Sequence, residues 1–280
     1  LSDREGLAKA FDGVEVVYNL AKSLDKTWEA ALRNDVGVTE TIAEACLDAG
    51  VERLVYTGTI ASYDMSDPLG RITEATGFAE DMSDRNLYAR SKAECERRLM
   101  ALHRARGLPV TIARPGIVIG PGGPLQHWGI GRWHGAGAVK LWGEGYNILP
   151  FVLIDDVVDG LITMGSHPAA LGESFNLVGD RMLSGRDYFK AVHRELGAKI
   201  RVSSGSLVGL WAVDAVKYPL KRYALRKHGA VRASLRDWKS RAHLTPFDNA
   251  KPKEMLGWTP CADKAELIRR VITEAGLFGF

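Results

Sequence analysis

Apolar and polar positions fall into blocks over the first 120 residues, and the blocks change period in a regular way. Residues 14–20 (VEVVYNL), 53–59 (RLVYTGT) and 110–114, the last stopped by Pro115, are short β-rich runs and predict strands. Residues 28–49 place apolar side chains at helical spacing and stop at Gly50; residues 87–106 predict a second long helix ending at Gly107. A short helix over 4–11 precedes Asp12-Gly13. Helix and strand therefore alternate, which implies a parallel sheet with helical crossovers.

Beyond Gly120 the pattern loosens. Pro121-Gly122-Gly123-Pro124 is a turn cluster, and residues 125–142, rich in Gly, Trp and His, predict a pocket-lining loop with some helix. Residues 151–154 predict a short strand, with Asp155-Asp156 capping the helix that follows. The remainder mixes short strands and helices, as a small substrate lobe does. The predicted division is residues 1–120 as a partial dinucleotide-binding domain and 121–280 as the remaining sheet elements with the substrate lobe.

Composition adds bounds. The 280 residues are 46% hydrophobic and 25% charged, ordinary globular values. A net charge of +3 is too small to imply nucleic acid. Cys46, Cys95 and Cys261 are odd in number and widely spaced, which predicts a reducing, cytoplasmic setting. No signal peptide or long uncharged apolar stretch is visible. The first residue is Leu, so the expectation is a chain that starts inside a longer polypeptide.

Ligands of such sheets bind beyond the carboxyl ends of the strands. Those ends are Asn19-Leu20-Ala21, Thr57-Gly58-Thr59 and Arg114-Pro115-Gly116. Thr59 puts a hydroxyl there, and Tyr88 and Lys92 share one face of the next helix at i, i+4. A free Tyr, with pKa near ~10, is a poor base at neutral pH, but an adjacent ammonium favours the phenolate. Tyr88 would then take a proton from a substrate hydroxyl that Thr59 holds. The same spacing occurs at Tyr18/Lys22 and Tyr223/Lys227. Tyr18 lies within a strand and is expected to pack in the core; Tyr223 lies in a basic helix and is expected on a solvated face.

Seven segments in order carry a family resemblance: VEVVYNLA (14–21), NDVGVT (34–39), RLVYTGTIASYD (53–64), YARSK (88–92), IARPGIVIGPGG (112–123), FVLIDDV (151–157) and DNAKPKEMLGWTP (248–260). The series resembles the NAD-dependent epimerase/dehydratase branch of the extended short-chain dehydrogenases. The resemblance implies a Rossmann-type parallel sheet with helices on both faces, NAD or NADP as cofactor, and hydride transfer at a secondary alcohol or ketone. It implies Thr59, Tyr88 and Lys92 as the catalytic set. Leu20, Ala21, Tyr88, Lys92 and the backbone at Pro115, Gly116 and Ile117 would contact the cofactor. Asn34 matches the family's buried Asn, with helix bracing and proton relay both open. Homodimerisation is also open.

Three departures stand out. No G-x-x-G-x-x-G occurs, so roughly 60 residues of the family's opening, with its first strands and Gly-rich turn, are absent, about a βαβ unit and a strand. The pyrophosphate then lacks a helix N-terminus, and the strand at residues 14–20 has an open edge. Second, Ile117 and Leu149 stand where nucleotide-sugar members place Asn and Arg. Residues 142–160 look more like the 3β-hydroxysteroid dehydrogenase and dihydroflavonol reductase side, which favours an apolar, non-nucleotide substrate. A nucleotide-sugar epimerase or dehydratase and a catalytically silent binding protein are the alternatives.

Third, residues 207–241 begin apolar and turn basic, with nine Lys and Arg from Lys217 to Arg241 opposed only by Asp237. An interfacial helix on anionic lipid and a lid helix with a solvated face both fit; no nucleic-acid motif accompanies the charge. His127, Trp128, Trp133, His134 and Trp142 would line an apolar pocket or pack between lobes, and no spacing suggests a metal site.

Overall fold

The computed structural model describes residues 1–65, 70–135, 137–226 and 232–277. Helix α1 (Arg4–Ala10) starts at Asp3, whose carboxylate accepts from the Gly6 amide. Strand β1 (Val16–Asn19) follows. Helix α2 comprises Trp28–Ala31, a π-helical stretch Leu32–Gly37, and Val38–Ala49, and it ends on Gly50 in the left-handed region. Strand β2 is Arg53–Thr57, α3 is Leu87–Arg106, and β3 is Val110–Pro115. These are the elements the periodicity predicts, within a residue or two at each end.

β1, β2 and β3 are parallel neighbours, with Val55 opposite Tyr18 and Thr111. Alternate residues face opposite layers, as strand geometry requires. Leu54, Tyr56, Val110 and Ile112 pack in one apolar cluster with α2 and α3 residues such as Val36, Cys46 and Leu99. Val55 and Ala113 pack on the other side with Val157, Leu161 and Met164 of α4 (Ile154–Ser166). The sheet is thus covered by helices on both faces, the Rossmann-type arrangement. Among the described residues β1 has no strand on its outer edge.

Beyond β3 the chain adds a parallel pair, β4 (Ile117–Ile119) with β7 (Phe151–Leu153). The residues read as a loop with some helix instead hold two strands, β5 (Gly131–Trp133) and β6 (Ala138–Trp142), paired antiparallel. Asp155 and Asp156 do not cap α4: its first residue follows Leu153 with no side-chain cap. Asp156 accepts the Cys261 amide, and Asp155 pairs with Arg270.

After α4, β8 (Ser174–Leu177) returns to pair with β3 as the fourth strand of the main sheet. Then come α5 (Gly185–Leu196), β9 (Arg201–Gly205) beside β6, α6 (Leu207–Pro219), α7 (Leu235–Lys239), α8 (Ala250–Leu256) and α9 (Lys264–Ile268). Ile117, Leu141, Leu149, Phe151 and Tyr188 belong to a separate apolar cluster that forms the core of this second lobe.

Candidate active site

Thr59 stands just past β2, extended, and its hydroxyl accepts from the Ala61 amide to start a short 3-10 turn. Three bonds pin that turn to the foot of α3. The Arg85 guanidinium donates to the Ala61 and Tyr63 carbonyls at 2.9 Å each, and Ser62 Oγ donates to the Ala89 carbonyl. Helix α3 is itself capped by Asn86, whose side-chain oxygen accepts the Ala89 amide. Tyr88, in the first turn, is thereby brought near Thr59, whose hydroxyl favours the ionised phenol. Tyr88 stays 44% exposed at the carboxyl edge of the sheet, whereas Thr59 is buried.

Lys92, one turn further along α3, is buried. Its ammonium donates to the Thr57 carbonyl at 2.7 Å and lies 4.8 Å from the Tyr56 ring centroid. The structure therefore brings Thr59, Tyr88 and Lys92 together at one strand end, but with a different electrostatic order from the expected one. Burial raises the Tyr88 phenol above its ordinary value; the Thr59 hydrogen bond opposes this and the Asp35 carboxylate adds to it. Burial likewise pushes the Lys92 ammonium down. With its ammonium drawn to Thr57, Lys92 does not pull a proton off Tyr88 in this arrangement.

The other tyrosine–lysine pairs separate from the site. Tyr18 is not a core residue: it is 41% exposed on the outer strand, its hydroxyl against Gly165 of α4. Its partner Lys22 is bound to Asp35 and to the Ser23 carbonyl. Tyr223 is solvated, and Lys227 lies outside the described residues.

Asn34 is not buried either. It is exposed and donates to Asp25, while the inward position belongs to Asp35. Asp35 accepts from Lys22 and from the Ser23 amide at 2.6 Å. Burial works to raise its carboxyl, but these two donors outweigh burial and hold it below its ordinary value. Asp35 thus clamps the segment that follows β1. In that segment Leu20 and Ala21 are exposed, and the Ala21 amide is tied to Asn19. The amides of Gly116 and Ile117 are already used by the Leu177 and Pro150 carbonyls, and Ile117 is packed in the second lobe's core.

Behind the site lies a second pair the sequence reading did not isolate. Glu96 is fully enclosed and binds Arg114 of β3 at 2.8 Å. Arg114 also donates to the Tyr63 hydroxyl at 2.6 Å, which in turn donates to Asn176 of β8. The free Glu96 oxygen faces Gly58, where a Cβ would fall 2.1 Å from it. The aromatic group proposed as a pocket splits in two. Trp142 packs edge-on to Trp128 and Trp238, whereas Trp133 packs on Phe189 in the lobe core. His134 is exposed.

Residues 1–178 match the NAD dependent epimerase/dehydratase family, and the chain belongs to it. Among its relatives, 3beta-hydroxysteroid-dehydrogenase/decarboxylase isoform 2 of Arabidopsis thaliana is 25% identical over 97% of this chain and 50% of that protein. The UDP-glucose 4-epimerase of Mycolicibacterium smegmatis is 27% identical over 97% of this chain and 79% of that protein. The chain spans half to two thirds of the two plant steroid enzymes it matches, at 50% and 64% of their lengths. UDP-glucuronic acid 4-epimerase from Bacillus cereus, solved with UDP-glucuronic acid and NAD, superimposes with a TM-score of 0.69 at 17% identity, over 98% of this chain and 79% of that one.

The residues present suit the nicotinamide end of the family's dinucleotide: two hydroxyls and an ammonium at one strand end beside the exposed Leu20. They offer no Gly-rich turn for the pyrophosphate. The 280-residue polypeptide alone is therefore expected to bind NAD or NADP no tighter than the millimolar range, about −4 kcal/mol. Titration calorimetry checks this, and micromolar binding would contradict it.

Proposed function

We propose that the full-length protein is an NAD(P)-dependent oxidoreductase acting at a secondary alcohol or ketone of an apolar, non-nucleotide substrate. The juxtaposition of an exposed Tyr88 with Thr59 and Lys92 at the carboxyl edge of the sheet carries this reading. A substrate oxygen placed between the two hydroxyls is oriented by Thr59 and exchanges its proton with Tyr88. The bound nicotinamide supplies the hydride acceptor or donor. Lys92 keeps a positive charge at the strand end, where it favours the ionised phenol once its bond to Thr57 loosens. In the alcohol-to-ketone direction the C–H bond breaks with its electron pair leaving as hydride, and the O–H proton passes to Tyr88.

Two observations support the apolar substrate. Ile117 and Leu149 are both buried in the second lobe's core and offer no hydrogen bond to a diphosphate. The plant relatives are named for hydroxysteroid substrates. The UDP-glucose epimerases among the relatives keep a nucleotide sugar as the second reading. The test is full-length protein with NAD or NADP, offered a 3β-hydroxysteroid and, separately, UDP-glucose. Appearance of reduced nicotinamide with the steroid alone is the expected result; conversion of UDP-glucose to its 4-epimer, with no turnover of the steroid, overturns the substrate assignment and keeps the chemistry.

A further inference from the structure

Helix α6 reverses the usual order of a surface helix. A helix on a globular protein turns its apolar stripe inward. From Leu207 to Val216, the exposed positions of α6 are Val208, Gly209, Ala212, Val213 and Val216, and no residue of the helix is buried. At 3.6 residues per turn these five positions lie on one face. Asp214, the acidic residue of the helix, lies off that face, half-buried and paired with Lys221. The stripe runs on into the next turn through Pro219, Leu220 and Tyr223, with Val216 75% and Tyr223 74% exposed. Exposed cations, Lys217, Lys221 and Arg226, border it on the carboxyl side. Among the described residues no helix is long and apolar enough to cross a membrane.

We propose that this face is an interfacial membrane contact: α6 lies in the plane of an anionic bilayer, with Val213, Val216, Leu220 and Tyr223 entering the headgroup boundary and Lys217 and Lys221 meeting lipid phosphates. An apolar stripe with cationic margins is the pattern such surfaces take. Charge decides against a second copy of the chain. A two-fold contact would set the same patch against itself and bring the lysine margins of both copies together. An anionic lipid surface complements those margins.

The contact would also sit next to the chemistry. Helix α6 packs on α7. Asp237 of α7 is enclosed and accepts from Arg85 and from both nitrogens of Asn86, the residues that seat Thr59 and cap α3. The inference is independent of the substrate reading, since lipid binding is measured without turnover.

The test is flotation of full-length protein with phosphatidylcholine vesicles and with vesicles containing about a third phosphatidylglycerol. The expected result is binding to the anionic vesicles, weak binding to the neutral ones, and release as salt shortens the screening length. Lys217→Ala with Lys221→Ala should weaken binding about 30-fold, at about fivefold per cation. Val216→Glu with Leu220→Glu should abolish it and leave the thermal midpoint unchanged. If that pair unfolds the protein, Val216→Ser with Leu220→Ser serves in its place. Failure to float with anionic vesicles overturns the proposal, as does flotation that neither apolar pair reduces. A dimer that either apolar pair converts to monomer, without vesicle binding, overturns it in favour of a second copy.

Discussion

Tyr88→Phe in the full-length enzyme is expected to lower turnover by a factor of ~10² to 10⁴, the usual worth of a positioned proton-transfer group. The substitution removes one oxygen and keeps the ring, so packing of the first turn of α3 is preserved. Thr59 retains its bond to the Ala61 amide and does not move. Cofactor affinity should change little. Because burial raises Tyr88 above its ordinary value near ~10, the phenolate grows scarcer as pH falls. Alcohol oxidation, which needs the phenolate, should therefore rise with pH through the alkaline range, and ketone reduction, which uses the phenol, should not. Tyr18→Phe and Tyr223→Phe are internal controls expected at wild-type turnover, because the Tyr18 hydroxyl lies against Gly165 of α4 and Tyr223 is solvated. Full activity in Tyr88→Phe would remove Tyr88 from the mechanism.

The second large effect is structural. Asp237→Ala is expected to destabilise the protein by about 3–5 kcal/mol, the cost of leaving a buried partner unpaired. Its carboxylate is fully enclosed and holds the Arg85 guanidinium at 2.9 Å, with Asn86 and Arg241 also bound. Without it Arg85 is a buried cation short of its counter-charge, and the cap of α3 loses its brace. Turnover should fall alongside stability, since Arg85 also fixes the turn that carries Thr59. Burial works to raise the Asp237 carboxyl, but Arg241, the Asn86 amide and Arg85 outweigh it and hold it below its ordinary value. The contribution is thus complete above the ordinary carboxylate range, near pH ~4, and is lost as pH falls through the lower folded value. Thermal unfolding of wild type and variant should differ most near neutrality and converge in acid. A constant gap at all pH values would show that the carboxylate's charge is not what stabilises.

Three strands of the main sheet were readable because each is a short β-rich run, two of them closed by Gly58 and Pro115, and because α2 and α3 end on Gly50 and Gly107. The convergence of Thr59, Tyr88 and Lys92 was readable because the hydroxyl follows a strand end and the i, i+4 pair shares one helix face. Asn34 was misplaced. Its burial was expected from the family resemblance, but Leu32–Gly37 is π-helical here, with Asn34 exposed and Asp35 inward. Tyr18 was expected inside because it lies within a strand, but on β1, the outer strand, it is 41% exposed. β5 and β6 carry no alternating pattern, and β5 is three residues long. Asp237 was visible as a lone acid among cations with Arg241 four residues on; its other partners, Arg85 and Asn86, lie about 150 residues away, and no short-range signal reports them.

The closeness of Gly58 to Glu96 has a consequence for how this sequence can vary. With Glu96 in place, any side chain at position 58 overlaps the carboxylate oxygen and approaches the Ala113 carbonyl at 3.3 Å. With a smaller residue at 96, position 58 has room on that side but Arg114 loses its counter-ion. The three positions are therefore open to change together and closed to change singly. Substitutions at Gly58 and Glu96 should be strongly non-additive, the double variant being less damaged than the sum of its parts. A chain that drifts at one of them first passes through a state in which the loop carrying Thr59 is displaced.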